Sequence, residues 1–279
     1  MSNQLYESFR NTGEVTVELQ AKAREAAQQG ESRKRFLEKA TLLGGATALG
    51  ASAFNVLNQA TAFGAQTSGF TCDCTAHEIL SLAATAENLA VTFYYHILNL
   101  PTTVPDINDT NHRNYFQAAM IHEWLHKEFL ESQGGRALAT RFFFPVGMFT
   151  NQTVFFNTVL ELEHRFIGAY IASTREFSGV VSSNITKPNP FAIGASAQIM
   201  GVECEHRALI RDVANLTPPD NLPFEPVPER CVKEVMATLK PFLMGGSGFV
   251  GPFSLPPKEE VNERALPFGF GFFPPVPIV

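Results

Sequence analysis

Apolar side chains return every three or four residues across 76–98, 113–133, 152–177 and 191–215, the spacing that lays one apolar stripe along a helix. Each stripe must be covered, and four such helices predict an all-α four-helix bundle. Gly134-Gly135 ends the second helix, as glycine does at helix C-termini. A polar turn at 106–111 joins the first pair and a loop at 178–190 the last. Residues 136–150, with Phe142-Phe143-Phe144-Pro145, show no helical period. That stretch is longer than most bundle connections. It predicts a crossover that sets the second and third helices running the same way. Beyond a Pro-rich segment at 218–228 a short fifth helix is expected at 229–239. Gly, Pro and Phe then dominate, and the prolines predict an irregular tail. The chain thus divides into an N-terminal region at 1–62, a linker at 63–75, the bundle at 76–243 and the tail at 244–279.

The N-terminal region carries compartment information. Ser32-Arg33-Lys34-Arg35-Phe36-Leu37 precedes an uncharged, Ala- and Gly-rich stretch at 40–62 that closes on Ala60-Thr61-Ala62, a small-x-small cleavage pattern. The basic motif resembles a twin-arginine export signal, with Arg33-Lys34 in place of two arginines. Export to the periplasm or cell envelope is the expectation. Two other readings of 40–62 stand beside it: an uncleaved membrane anchor, for which it is long enough, and an ordinary helix.

A net charge of −6 speaks against a nucleic-acid partner, which calls for a basic face. Four cysteines are too few for a disulfide scaffold, but Cys72 or Cys74 could pair with Cys231 after export. The run at 265–279 bears no charge, so the tail is expected to dock, on its own bundle or on a neighbouring chain, the latter favoured.

The candidate chemistry lies inside the apolar helices. Glu87, Glu123, Glu163 and Glu203 fall at intervals of one helix plus one connection, and Glu123 and Glu203 each open a Glu-x-x-His pair, with His126 and His206. Positions i and i+3 share a helix face, so each pair can reach one point. A lone carboxylate in such a segment is expensive to bury without a partner. Four carboxylates and two neutral imidazoles balance two divalent cations, and mixed oxygen-rich ligation suits iron or manganese. Tyr94 follows Glu87 by seven residues, nearly two turns, and so lies on the same face. Tyr94 and Tyr170 are candidate phenols beside the metals, against the plainer role of structural tyrosines.

These motifs resemble ferritin-like di-iron proteins. The run Glu123-Trp124-Leu125-His126 through Gly134-Gly135 is similar to the second-helix motif of ferritins. Leu162-Glu163 through Ala169-Tyr170, and Gly201-Val202-Glu203-Cys204-Glu205-His206, are similar to the third and fourth helices of exported bacterial members, a group that includes relatives of desiccation-associated proteins. The resemblance implies a ferritin-like bundle holding two iron ions, with Glu87 and Glu163 as terminal ligands and Glu123 and Glu203 as bridges. It also implies oxidation of ferrous iron by dioxygen or peroxide.

Two other functions compete. His122-Glu123-Trp124-Leu125-His126 matches the His-Glu-x-x-His of zinc peptidases, in which both histidines bind zinc and the glutamate activates water. That reading leaves Glu87, Glu163 and Glu203 without a joint role, and Val202 stands where a second such motif would need histidine. The third reading is a non-catalytic subunit of a complex on the same scaffold, to which the apolar tail would suit a partner.

Overall fold

The computed structural model describes residues 71–99, 109–225, 227, 229–266 and 268–273. The export motif, the cleavage pattern and the 40–62 stretch lie outside the described residues.

Four long helices form, each behind a side-chain cap. Helix α1, Ala76–Leu98, starts at Thr75, whose hydroxyl accepts from the Glu78 amide while the Glu78 carboxylate accepts from the Thr75 amide. Asp109 caps α2, Thr110–Ser132, and Asn151 caps α3, Gln152–Phe177. Asn189 caps α4, Pro190–Val213, with a proline at its first position, where the missing N–H costs nothing. α1 packs chiefly on α2 and α3 chiefly on α4, so the bundle is two helical hairpins. Gly135 lets the end of α2 approach α1: a Cβ there would stand 2.8 Å from the Leu80 carbonyl oxygen.

The crossover between α2 and α3 is tied down by polar residues that otherwise look misplaced in α1. Ser81 and Thr85 are buried, and their hydroxyls accept from the amides of Arg136 and Leu138 at 3.0 and 2.9 Å. Asn88, one turn on, donates to the Ala139 carbonyl at 3.0 Å. Irregular backbone thus finds its partners along one face of α1. The crossover continues as β1, Arg141–Pro145, whose Phe142 and Phe144 are fully buried.

The fifth long helix is α5, Val232–Met244. Its start has no cap of its own; the Glu176 carboxylate of α3 accepts from the Val232 amide at 2.7 Å instead. Just ahead of it, Cys231 is disulfide-bonded to Cys72.

The tail is more ordered than its prolines suggest. β2, Phe249–Ser254, pairs antiparallel with β1, and a bulge lies between Phe142 and Phe144. Pro252 is tolerated because the sheet has only two strands, so one edge of each lies free of the ladder. α6, Lys258–Arg264, starts after Pro257, and its Val261 and the adjacent Ala265 are fully buried. The Arg264 guanidinium lies 3.6 Å from the Tyr95 ring centroid, and Gln117 donates to the carbonyls of Arg264 and Leu266 at 2.9 and 2.8 Å. A last turn, α7, Gly269–Phe272, brings Phe270 beside Trp124. Residues 258–273 therefore dock on their own bundle, and 274–279 lie outside the described residues.

Candidate metal centre

Each helix of the bundle sends one glutamate inward. Glu87 from α1, Glu123 from α2, Glu163 from α3 and Glu203 from α4 are all buried, the last three with no exposed surface. His126 and His206, three residues after Glu123 and Glu203, turn to the same region, as the i, i+3 spacing requires. All six sequence-predicted ligands come together.

They form two groups. Glu87, Glu123, His126 and Glu203 make one, and Glu123, Glu163, Glu203 and His206 the other; within each, a ligand atom of every residue lies within 4.8 Å of the rest. Glu123 and Glu203 belong to both. His126 Nδ1 stands 3.3 Å from Glu123 and 3.2 Å from Glu203; His206 Nδ1 stands 3.1 Å from each. The arrangement is that of two cation positions sharing two carboxylates.

Polar accounting supports the same reading. One oxygen each of Glu87 and Glu163 has no hydrogen-bond donor, and the inner oxygens of Glu123 and Glu203 have only a shared imidazole nitrogen, His206 Nδ1 at 3.1 Å and His126 Nδ1 at 3.2 Å. Four carboxylates with two imidazoles and so few donors in one buried cluster are a large cost in a protein interior, and a divalent cation at each position would remove it. The residues present fit two such ions.

The phenols are placed with a twist that the sequence conceals. Tyr94 shares α1 with Glu87 but donates to Glu163 across the bundle at 2.5 Å. Tyr170 shares α3 with Glu163 and donates to Glu87. Both glutamate–tyrosine pairs are seven residues apart, so the two hairpins present the same set crosswise. The repeated seven-residue spacing, at Glu163 and Tyr170 as at Glu87 and Tyr94, signals that both hairpins carry the same pair, but not which carboxylate each phenol reaches. Burial, then the nearby carboxylates, pushes both phenols well above their ordinary pKa, so each remains a donor.

The carboxylates do not titrate alike. Burial, then the charges of Glu123 and Glu203, raises Glu87 and Glu163 well above the usual range. Burial would raise Glu123 too, but the His206 charge and hydrogen bonds from His126 and His206 outweigh it and hold Glu123 low. Burial opposes charge on His126 and His206, yet the surrounding carboxylates raise both. In the metal-free protein these shifts favour the protonated forms of Glu87, Glu163, His126 and His206, with which a cation would compete.

His122 belongs to neither group of ligands. Its Nδ1 lies 3.2 Å from His206 Nε2, and burial, then His206 and His126, lowers its pKa to about 4. A peptidase would need His122 and His126 on one ion with Glu123 left free as base, whereas Glu123 stands between both imidazoles of the cluster. His96 and His164 also fall outside both groups.

Four glutamates and two Glu-x-x-His histidines converging inside paired helical hairpins define a class of proteins, the carboxylate-rich metal bundles. The chain belongs to one family within it: the ferritin-like domain family matches residues 75–216, just over half of the sequence. No significant match to the chain is found among curated proteins or among solved structures.

Proposed function

We propose that this ferritin-like protein holds two iron ions, with manganese as the alternative, and oxidises ferrous iron with dioxygen or peroxide. The observation that carries the reading is the pair of donor groups meeting at Glu123 and Glu203, with a donor-less oxygen left on Glu87 and on Glu163. Glu87 and His126 complete one position, Glu163 and His206 the other. Bound there, a pair of iron ions supplies the electron transfer to oxidant that ferrous oxidation requires. The chain's own groups do the rest. Tyr94 and Tyr170 each fix one oxygen of a terminal carboxylate and leave the other for a cation.

Export to the envelope is part of the proposal. The Ser32-to-Leu37 motif supports it, as does the Cys72–Cys231 disulfide, since disulfides persist in oxidising compartments. A mature N-terminus near Phe63 is expected on sequencing protein from its native envelope; a start at Met1 or Ser2 would remove the cleaved-signal reading. The resemblance to desiccation-associated relatives supports a protective role there.

Metal analysis of the purified protein, with optical spectra during anaerobic ferrous addition and then under air, tests the main reading. Two ions per chain and an oxidation-linked absorption change are expected. A folded protein with no affinity for divalent metals would instead leave a non-catalytic scaffold.

A further inference from the structure

The two metal positions share a donor set, yet the protein supports them unequally. His206 is buried, with 2% of its side chain exposed, whereas His126 is 13% exposed. Behind His206 stands a second imidazole: His122 Nδ1 is 3.2 Å from its Nε2, and the two rings lie within 9° of parallel. The His122 ring is itself braced by the edge of Phe273, ring centroids 4.6 Å apart. Among the described residues no ring nitrogen stands behind His126 in this way. The sequence encodes the difference. α2 has His122 one residue before its bridging glutamate, and α4 has Val202 at the matching position before Glu203, with no nitrogen to offer.

We propose that His122 is the positioning residue of His206, and that through it the Glu163–His206 position binds its cation more tightly than the Glu87–His126 position. The inference rests on the di-metal reading above. His206 Nδ1 faces Glu123 and Glu203 at 3.1 Å and is the nitrogen turned to the cation. A neutral imidazole carries one proton. With the Nδ1 lone pair given to a cation, that proton sits on Nε2, where His122 Nδ1 accepts it. The acceptor fixes both tautomer and ring orientation, the service that a carboxylate or carbonyl behind a metal-bound histidine performs elsewhere. His126 faces the carboxylates with Nδ1 as well, but among the described residues no ring nitrogen accepts from its Nε2, so nothing comparable holds its tautomer when a cation arrives. Its position is accordingly the exchangeable one, nearer to solvent and open to a ferrous substrate.

Titration of the full apoprotein with cobalt(II), followed by its visible absorption, tests this without any turnover. Wild type should bind two ions in resolved steps. His122→Phe should weaken one step by about 10–100-fold, the range for loss of an outer-shell partner, and leave the other unchanged. His122→Gln, whose amide oxygen can accept from Nε2–H, should recover much of the loss. Two unaltered steps in His122→Phe, or equal weakening of both, would overturn the proposal. Far-UV circular dichroism checks that the variant folds. Should it not fold, nitrogen-15 spectra of zinc-loaded wild type decide: a proton on His206 Nε2 shared with His122 supports the inference, and a bare His206 Nε2 overturns it. Failure of wild type to bind any cobalt would instead strike the di-metal reading itself.

Discussion

Glu123 and Glu203 serve both ligand groups, whereas Glu87 and Glu163 serve one each, and this predicts different losses. Glu123→Ala or Glu203→Ala should abolish tight binding of both ions; Glu87→Ala should remove one. Metal content per chain after exhaustive dialysis is the measure, and two ions retained by Glu123→Ala would dismiss it as a bridge. The protonation of the cluster predicts a pH effect with a definite sign. Glu87, Glu163, His126 and His206 all have raised folded values. Such groups stabilise the metal-free fold fully below their unfolded values, about 4.3 for Glu and 6.5 for His, and the contribution fades as pH rises through the folded value. Glu123, held low, acts oppositely: its contribution is present above the unfolded value and lost as pH falls through the folded one. Cations need the raised groups deprotonated, so the rise in Tm on adding metal should widen as pH climbs above the unfolded values, about 4.3 for Glu and then about 6.5 for His. A rise that shrinks over that climb would contradict the assignment. The convergence of Glu87, Glu123, His126, Glu163, Glu203 and His206 was legible in the sequence because glutamates recurring once per helix, two of them with histidine at i+3, fall on facing stripes. The crossed phenols and the backing of His206 by His122 were not, because a spacing says which face a side chain shares, not which neighbour it reaches across a bundle.

At the scale of elements, the tail makes the sharpest prediction. Ala265 is fully buried, and Gln117 satisfies two tail carbonyls from inside α2. Deleting the residues after Asn262 should lower thermal stability while leaving most helical signal in place. The cost should be several kcal/mol, from lost apolar burial and a part-buried Gln117 left without acceptors. No change in Tm would mean that the docking seen for 258–273 contributes nothing. The four long helices were readable because amphipathic periodicity and a glycine stop act locally. The pairing of β1 with β2 was not, since their partners are over a hundred residues apart and Phe142-Phe143-Phe144-Pro145 and Phe249-Val250-Gly251-Pro252 share no local signal of registry. Ser81, Thr85 and Asn88 likewise read as flaws in an apolar stripe until the crossover that they hold is in view.

For the molecule as a whole, the Cys72–Cys231 disulfide closes the chain on itself across 159 positions. In the chain-entropy picture a closed loop of that size stabilises the fold by about 5 kcal/mol. Cys231→Ser should therefore unfold at clearly lower denaturant than wild type, and reduction should lower wild type to the same level. Equal midpoints would show that the loop is held as well by packing alone. The closed loop also governs how the molecule bears tension. A load applied between its two ends enters at Cys72, crosses one sulfur–sulfur bond and leaves at Cys231, so α1 to α4 hang outside the line of force as a ring. Stretched in a single-molecule trap, the oxidised protein should yield only the chain beyond that ring. A reductant should then release a further stretch of about 550 Å as the bundle itself is drawn out. The six clustered side chains all lie within that ring, so a pull on the C-terminus would strip Phe273 from His122 before any tension reached the helices that carry them.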